Sequence, residues 1–250
     1  RSSRSSVASM NRPAILPLPY TFTPRDGFAA GFYVVFVLIF SYAPGLGIPG
    51  LTQLIPDPLL AGYVVNLVFY LCAGALAVWA SWRFAVRETR ILATRPWLTL
   101  AIIPGGVFAM LLLSVIAGLV TGPPETAVNQ QAVQGLVVSL PPLLIIPLLV
   151  VIAPFVEEYI FRHLLIGKLS KYLNLWVCCL ISVVLFAGIH LAGKEALALP
   201  VLLPYLVMGA VLVGLYVWAG NNFMLSYGVH AAKNLLAVLL TYAIPAELLQ

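Results

Sequence analysis

The chain has 250 residues, of which 62% are hydrophobic and only 8% are charged, and its formal net charge is +5. Its mean hydropathy of +1.04 argues against a large water-facing domain and is typical of helical proteins that cross a membrane several times. The positive charge is spread over connections and chain ends, which favours a positive-inside topology, and we expect no nucleic-acid partner.

The first nine residues, RSSRSSVAS, precede Met10 and resemble an expression tag or the remnant of a leader. Residues 1–9 are therefore left out of the predicted fold. Residues 10–250 are predicted to form a single integral-membrane domain, because no repeat, low-complexity tract or linker divides them. The half that carries chemistry is predicted at 136–243.

Seven apolar segments follow in chain order, each compatible with a hydrocarbon core of about 30 Å at about 1.5 Å per residue. They are 27–43, 59–82, 98–120, 136–166, 174–191, 198–219 and 222–243. We predict an all-α, polytopic transmembrane helical bundle of about seven spans, in the range of about six to eight, with a catalytic cavity within the membrane. The 136–166 segment contains four prolines, which predicts a kink or a short preceding interfacial helix.

Basic residues indicate the orientation of the spans. They crowd two connections, whereas the connections at 44–58 and 121–135 hold acidic residues and no Lys or Arg. The crowded residues are Arg83, Arg87, Arg90 and Arg95 in one connection and Lys168 and Lys171 in the other. Both should face the cytoplasm, which predicts a cytoplasmic N-terminus. The size of the chain and its apparent native start at Met10 suit a bacterial plasma-membrane protein.

The stretch APFVEEYIFRHLL (153–165) places three formal charges in a membrane-like run. A charge at a helix centre costs about 2.5–3.5 kcal/mol on insertion scales, so it defaults to a functional hypothesis. Glu158 and Arg162 are four residues apart and can pair. Glu157 projects about 100° away from Glu158 and is predicted to be free. The structural alternative is an ion cluster that only locks helix packing.

Histidine and asparagine residues in two other spans reach a similar depth. At about 1.5 Å per residue, Glu157 lies about 16 Å deep, His190 about 22 Å, His230 about 12 Å and Asn234 about 18 Å. His230 and Asn234 are four residues apart and can face one cavity. His163 has no acidic residue three or four positions away, so we expect it to be an interfacial or packing side chain.

These groups suit amide hydrolysis by an activated water. Glu157 can act as the base, His190 can position the water, and His230 and Asn234 can donate hydrogen bonds to an oxyanion. Glu157, His190 and His230 are also a possible ligand set for zinc, although the HExxH pattern is absent. No GxSxG elbow is present, and we expect the cysteines to be apolar free thiols.

Three motifs in this order resemble the CPBP family of intramembrane proteases, which includes CAAX prenyl endopeptidases and bacteriocin-processing proteins. EEYIFR (157–162) matches its EExxxR motif, FAGIH (186–190) its FxxxH motif and HAAKN (230–234) its HxxxN motif. The resemblance implies a membrane hydrolase with Glu157 as the water-activating base, His190 as its helper, and His230 and Asn234 at the oxyanion. It implies supporting roles for Glu158 and Arg162 and a packing role for Phe186. A glutamic-type member needs no metal, and a divalent metal such as zinc is the open alternative.

Three functions are considered on this basis. The first is an endopeptidase acting on a membrane-associated or lipidated peptide or protein within the lipid bilayer. The second is a catalytically silent relative that serves as an immunity factor or as a subunit of a membrane complex with partner proteins. The third is a proton-coupled transporter, for which buried Glu and His are typical but an inverted repeat is expected and none is found.

Overall fold

The computed structural model describes residues 20–42, 51–122, 128–191 and 198–243. The expected tag or leader at 1–9 lies outside these ranges. Within them the chain is helical and contains no strand. The helices are α1 (Pro24–Tyr42), α2 (Leu51–Leu54), α3 (Pro58–Ala93), α4 (Pro96–Thr121), α5 (Val128–Ser139), α6 (Pro142–Lys171), α7 (Leu175–Leu191), α8 (Leu199–Trp218) and α9 (Phe223–Ala243).

Length and composition qualify six of the described helices as membrane spans. These are α1, α3, α4, α6, α8 and α9, and the 17-residue α7 is apolar but shorter. The predicted all-α bundle of about seven spans is therefore confirmed. The protein is an integral membrane protein. The three cysteines are free thiols, with Cys72 exposed and Cys178 and Cys179 buried.

Helix α3 is longer than the sequence predicted. The helix continues beyond the apolar segment 59–82 to Ala93, so the prediction that Arg83, Arg87 and Arg90 lie in a connection is wrong. It begins where Asp57 accepts a hydrogen bond from the backbone N–H of Leu59 at 2.9 Å, a typical N-cap. At 36 residues it is about 54 Å long, so its arginine-bearing turns extend beyond a core of about 30 Å.

The predicted 136–166 segment divides into two helices at its first two prolines. Helix α5 ends at Ser139, and α6 begins at Pro142. Adjacent prolines favour this break, because each restricts the residue before it and neither donates a backbone hydrogen bond. Part of the connection predicted at 121–135 is therefore helical, and the expected short preceding helix is α5.

Helix α9 lies at the centre of the bundle and contacts α3, α4, α5, α6 and α8. Its contact with α4 depends on Gly106, where an added Cβ would lie 2.7 Å from Cγ1 of Val229. Helix α1 packs on α3, and α7 packs on α8 and α6. The histidine motif of α9 thus packs against α6, the helix that carries the glutamate motif.

A buried ion pair joins the start of α1 to the end of α6. Lys168 Nζ lies 2.7 Å from Oδ2 of Asp26, and the Tyr159 hydroxyl donates to Oδ1 of Asp26 at 2.8 Å. Asp26 also accepts from the backbone N–H of Thr23 at 2.7 Å, which caps α1. The prediction that Lys168 lies in a connection is wrong, because it belongs to α6 and its side chain is 1% exposed and paired.

A second buried carboxylate lies at the same end of the bundle. Glu88 of α3 accepts from the backbone N–H groups of Phe223 and Met224 at 2.7 and 3.4 Å, and so caps α9 from a neighbouring helix. The Tyr20 hydroxyl donates to the other oxygen of Glu88 at 3.1 Å. Burial and then the Glu88 charge raise the pKa of Tyr20. The basic end of the bundle is the end that carries the arginines of α3. We call Tyr20, Asp26, Glu88, Tyr159 and Lys168 the basic-end cluster.

Candidate active site

The glutamate pair lies on α6, which is not a regular α-helix. Pro147–Ile152 and Tyr159–Lys168 are π-helical, and the short α-helical segment Ala153–Glu158 between them carries both glutamates. The N–H of Ala153 donates to the carbonyl of Leu148, five residues back. A π turn inserts one extra residue into the helical repeat and is frequent at functional sites. Both glutamates are therefore positioned by widened turns on either side.

Glu158 is fully buried and doubly paired. Its Oε1 lies 3.1 Å from Nη1 of Arg162, so the pair predicted from the spacing forms. The same oxygen accepts a hydrogen bond from Nδ1 of His230 at 2.9 Å. Glu158 thus links α6 to α9, and its negative charge faces two groups that can carry positive charge.

Arg162 is held on its other sides by α7 and α8. Its Nη2 donates to the carbonyl of Gly209 at 3.4 Å, and its guanidinium carbon lies 4.4 Å from the centre of the Phe186 ring. The ring of Phe186, which is fully buried, also contacts the rings of His190 and His230. Phe186 therefore packs between the three motifs.

Glu157 borders the cavity and is 7% exposed. Its Oε1 accepts a hydrogen bond from the Tyr70 hydroxyl at 3.1 Å, and its Oε2 lies 3.7 Å from Nε2 of His230. The prediction of a free carboxylate is wrong to that extent, because a tyrosine from α3 binds it. A hydroxyl in an apolar span needs a partner, and this was the signal that could have identified Tyr70.

His230 bridges the two glutamates. Its Nδ1 carries the proton, because the Glu158 carboxylate can only accept. Its Nε2 therefore faces Glu157 at 3.7 Å, which exceeds a direct hydrogen-bond length. One ring nitrogen is used to fix the imidazole, and the other is presented to the cavity carboxylate.

His190 is oriented by its own helix and by α8. Its Nδ1 donates to the carbonyl of Phe186 at 2.7 Å, and its ring stacks on Tyr205 with centroids 4.5 Å apart. The carbonyl accepts only, which leaves the lone pair of Nε2 available in the neutral ring. His190 therefore contributes a fixed imidazole to the wall of the cavity.

Asn234 lies one turn beyond His230 on α9 and also lines the cavity. Its Nδ2 donates to the carbonyl of Leu149 at 2.9 Å, within the first π-helical turn of α6. An amide NH₂ has two donors, so a second N–H is left for a ligand. Asn234 thus also compensates for a carbonyl in the irregular part of α6.

The cavity has a volume of about 580 Å³, within the range of small-molecule and peptide sites. It brings together Glu157, His190, His230 and Asn234 from three helices, whereas Glu158, Arg162 and Phe186 lie behind its wall. The sequence reasoning missed other cavity residues, among them Tyr33, Tyr70 and Lys233.

The sequence left open a metal ion bound by Glu157, His190 and His230. Across the residues that the structure describes, no group of three His, Cys, Asp or Glu side chains is arranged to hold a metal ion. The set proposed from the sequence does not fit that role in this geometry, and we derive no step through a metal.

His163 lies outside the cavity. It is fully buried, and its ring packs against those of Tyr20, Phe84, Tyr159 and Phe223. Among the described residues, neither of its ring nitrogens has a hydrogen-bond partner. The expectation of a packing side chain is confirmed, and its place is interior rather than interfacial.

Comparison with known proteins identifies the motif-bearing segment. Residues 139–236, from the end of α5 to the middle of α9, match the family described as type II CAAX prenyl endopeptidase Rce1-like. No curated protein and no solved structure matches the chain significantly. The matched segment contains all three motifs, which confirms the resemblance to CPBP proteases. The chain is thus an integral membrane protein in which residues 139–236 are similar to the Rce1-like prenyl endopeptidases.

Proposed function

We propose that the chain is an intramembrane endopeptidase that hydrolyses a peptide bond by Glu157-activated water. The observation that carries the proposal is the arrangement of Glu157 in a membrane-level cavity, hydrogen-bonded by Tyr70 and faced by Nε2 of His230. The Rce1-like domain supports the same reaction class. The expected substrate is a membrane-associated or lipidated peptide or protein.

In the first step, Glu157 accepts a proton from water as the water oxygen bonds to the scissile carbonyl carbon. The carbonyl π electrons move to its oxygen, which becomes an oxyanion. His230 donates to this oxyanion through Nε2 when that nitrogen also carries a proton, and Glu158 then stabilises the positive charge of the ring. The second N–H of Asn234 is the other donor. His190, fixed through Nδ1, accepts a hydrogen bond from the water and orients it.

In the second step, the oxyanion re-forms a carbonyl and the C–N bond breaks. Glu157 gives its proton to the leaving amine, which restores the carboxylate. The products are a new carboxyl group and a new amine, and no external oxidant or cofactor is consumed.

The bundle also supports an orientation. Apart from Arg162 and Lys233 inside the bundle, the basic residues of the described ranges gather at one end. They are Arg25, Arg83, Arg87, Arg90, Arg95, Lys168 and Lys171. We infer that this end is cytoplasmic, which gives a cytoplasmic N-terminus in a plasma membrane.

The alternative is a catalytically silent member that acts as an immunity factor or a subunit of a membrane complex. It is favoured by one observation: the Glu158–Arg162–His230 network ties three helices together and could be retained for packing alone. Under this alternative, Glu157 would be needed for neither reaction nor partner binding.

The test is proteolysis by the full chain in proteoliposomes against a library of hydrophobic and lipidated peptides. Glu157→Gln and His190→Ala should each lower cleavage by at least about a hundredfold, since the first removes the base and the second removes the group that orients the water. The control is His163→Phe, a histidine change outside the cavity, and a chelator arm tests metal dependence. If the wild type cuts no peptide, or both variants cut as well as it does, the silent alternative replaces the proposal.

A further inference from the structure

The cavity occupies only one half of the bundle. On α1 it is lined from Tyr33 onward, and on α9 from His230 onward, both toward the helix C-termini. On α3, which runs the opposite way, it is lined from Ala61 to Tyr70, toward the N-terminus. These positions all point to the end of the bundle opposite the arginine-rich end of α3.

Distances along α3 show how strongly the cavity is displaced. Tyr70, which binds Glu157, lies about 18 Å from Pro58 and about 35 Å from Ala93 at about 1.5 Å per residue. Asn66, one turn nearer to Pro58, lines the cavity and is exposed. The reacting carboxylate is therefore closer to the end of α3 that carries no arginine.

The opposite direction is filled by side chains. On the basic-end side of Glu157, the described residues Tyr159, Arg162, His163 and Ile166 of α6 are all 0% exposed. Phe223, at the start of α9, is equally buried. The cavity therefore ends at this layer, and none of the described residues beyond it on that side lines the cavity.

The wall of the cavity stays partly polar toward the other end. Beyond His230, helix α9 presents Lys233, Asn234 and Thr241 to the cavity, and α5 adds Gln130. Apolar side chains such as Phe36 and Phe69 line the remainder. A wall of this mixed kind suits an extended peptide with apolar side chains and a polar backbone.

We propose that the substrate reaches Glu157 from the face of the membrane opposite the basic end, which is the exoplasmic face when the basic end is cytoplasmic. The substrate class is then an exported or membrane-anchored polypeptide whose scissile segment is presented from outside. The inference rests on the proposed peptidase function for its substrate, whereas the direction of access rests on the position of the cavity and on the positive-inside orientation of the bundle.

The first test measures access without measuring activity. Single cysteines are placed at Asn66→Cys, at the mouth, and at Arg95→Cys, an exposed residue at the basic end, after Cys72, Cys178 and Cys179 are replaced by Ala. Intact cells are treated with a membrane-impermeant maleimide. We expect label at position 66 without permeabilisation and label at position 95 only after it. The reverse pattern, or label at both positions in intact cells, overturns the proposal.

Gln130→Cys serves as a second mouth position in case Asn66→Cys fails to fold. In a separate arm, a peptide that the wild type cleaves is added outside or loaded inside proteoliposomes of known orientation. Cleavage only from the exoplasmic side supports the proposal, and cleavage only from the basic side overturns it. If no peptide is cut but the labelling pattern holds, the peptidase function fails and the direction of access stands.

Discussion

The basic-end cluster and the cavity residues differ in how completely their carboxylates are paired. In the basic-end cluster, Asp26 meets an ammonium and a hydroxyl, and Glu88 caps two backbone N–H groups. In the cavity, Glu157 has one direct hydrogen bond and a histidine nitrogen beyond hydrogen-bond length. Carboxylates of both kinds are expensive in a membrane, but only the second keeps capacity for a ligand.

The comparison shows that burial of charge does not by itself identify an active site. Asp26 and Glu88 are more deeply buried than Glu157, at 0%, 1% and 7% exposure. Glu157 differs from both because it borders the cavity, and because its oxygens can accept further hydrogen bonds from a ligand. The basic-end cluster should therefore control stability, and the cavity residues should control turnover.

The largest effect on stability is expected at Asp26. Asp26→Asn leaves the Lys168 ammonium buried without a carboxylate, and loss of one partner of a buried pair costs about 3–5 kcal/mol. Thermal unfolding in detergent measures it. The matched control is Asp57→Asn, an exposed N-cap where asparagine caps as well as aspartate. Equal melting temperatures for the two variants would contradict the structural role of the pair.

A smaller loss is expected at Glu88. Glu88→Gln removes the charge from hydrogen bonds to the first N–H groups of α9, which should lower the free energy of unfolding by about 1.5–3 kcal/mol. The comparison variant is Glu157→Gln, the same change in the cavity. It should unfold close to wild type and lose cleavage. If Glu157→Gln is less stable than Glu88→Gln, the assignment of stability to the basic-end cluster and of turnover to the cavity is wrong.

Tyr70 should affect turnover more than stability. Tyr70→Phe removes the donor to Glu157, and the loss of about 1.4 kcal/mol corresponds to about a tenfold lower kcat. Tyr63→Phe is the control on the same helix, because its hydroxyl donates to the carbonyl of Leu144 instead. Steady-state cleavage should separate the two variants, and unchanged kcat in Tyr70→Phe would remove Tyr70 from the site.

The smallest effect is expected at His163. His163→Phe keeps a ring among aromatic neighbours and removes two buried nitrogens that have no partner among the described residues, so stability should change by less than about 1 kcal/mol. His230→Phe, the same change in the cavity, should abolish cleavage. Thermal unfolding and cleavage are measured on both. A large loss of stability in His163→Phe would point to an interaction of its ring nitrogens in the folded protein.

The sequence predicted most of the fold because long apolar runs have few structural alternatives in a membrane. It did not predict that α3 continues to Ala93, because arginines can extend a helix past the bilayer. For the 136–166 segment it left open a kink or a short preceding helix, and the proline pair produces the second. The motif spacing brought the Glu, His and Asn residues together correctly. The sequence could indicate that the Tyr70 hydroxyl needs a partner, but not that the partner is Glu157, because that contact depends on how α3 packs against α6.

The two π-helical segments of α6 make the cavity site sensitive to the length of this helix. A π turn holds about one residue more than the α turn that it replaces, so the six-residue segment Pro147–Ile152 corresponds to a single-residue insertion in a straight helix. Loss of one residue from Pro147–Ile152 would rotate the preceding part of the helix by about 100° relative to Glu157 and shift the Leu149 carbonyl away from Asn234. Relatives could therefore gain or lose the site by a one-codon change in length while every membrane span is kept.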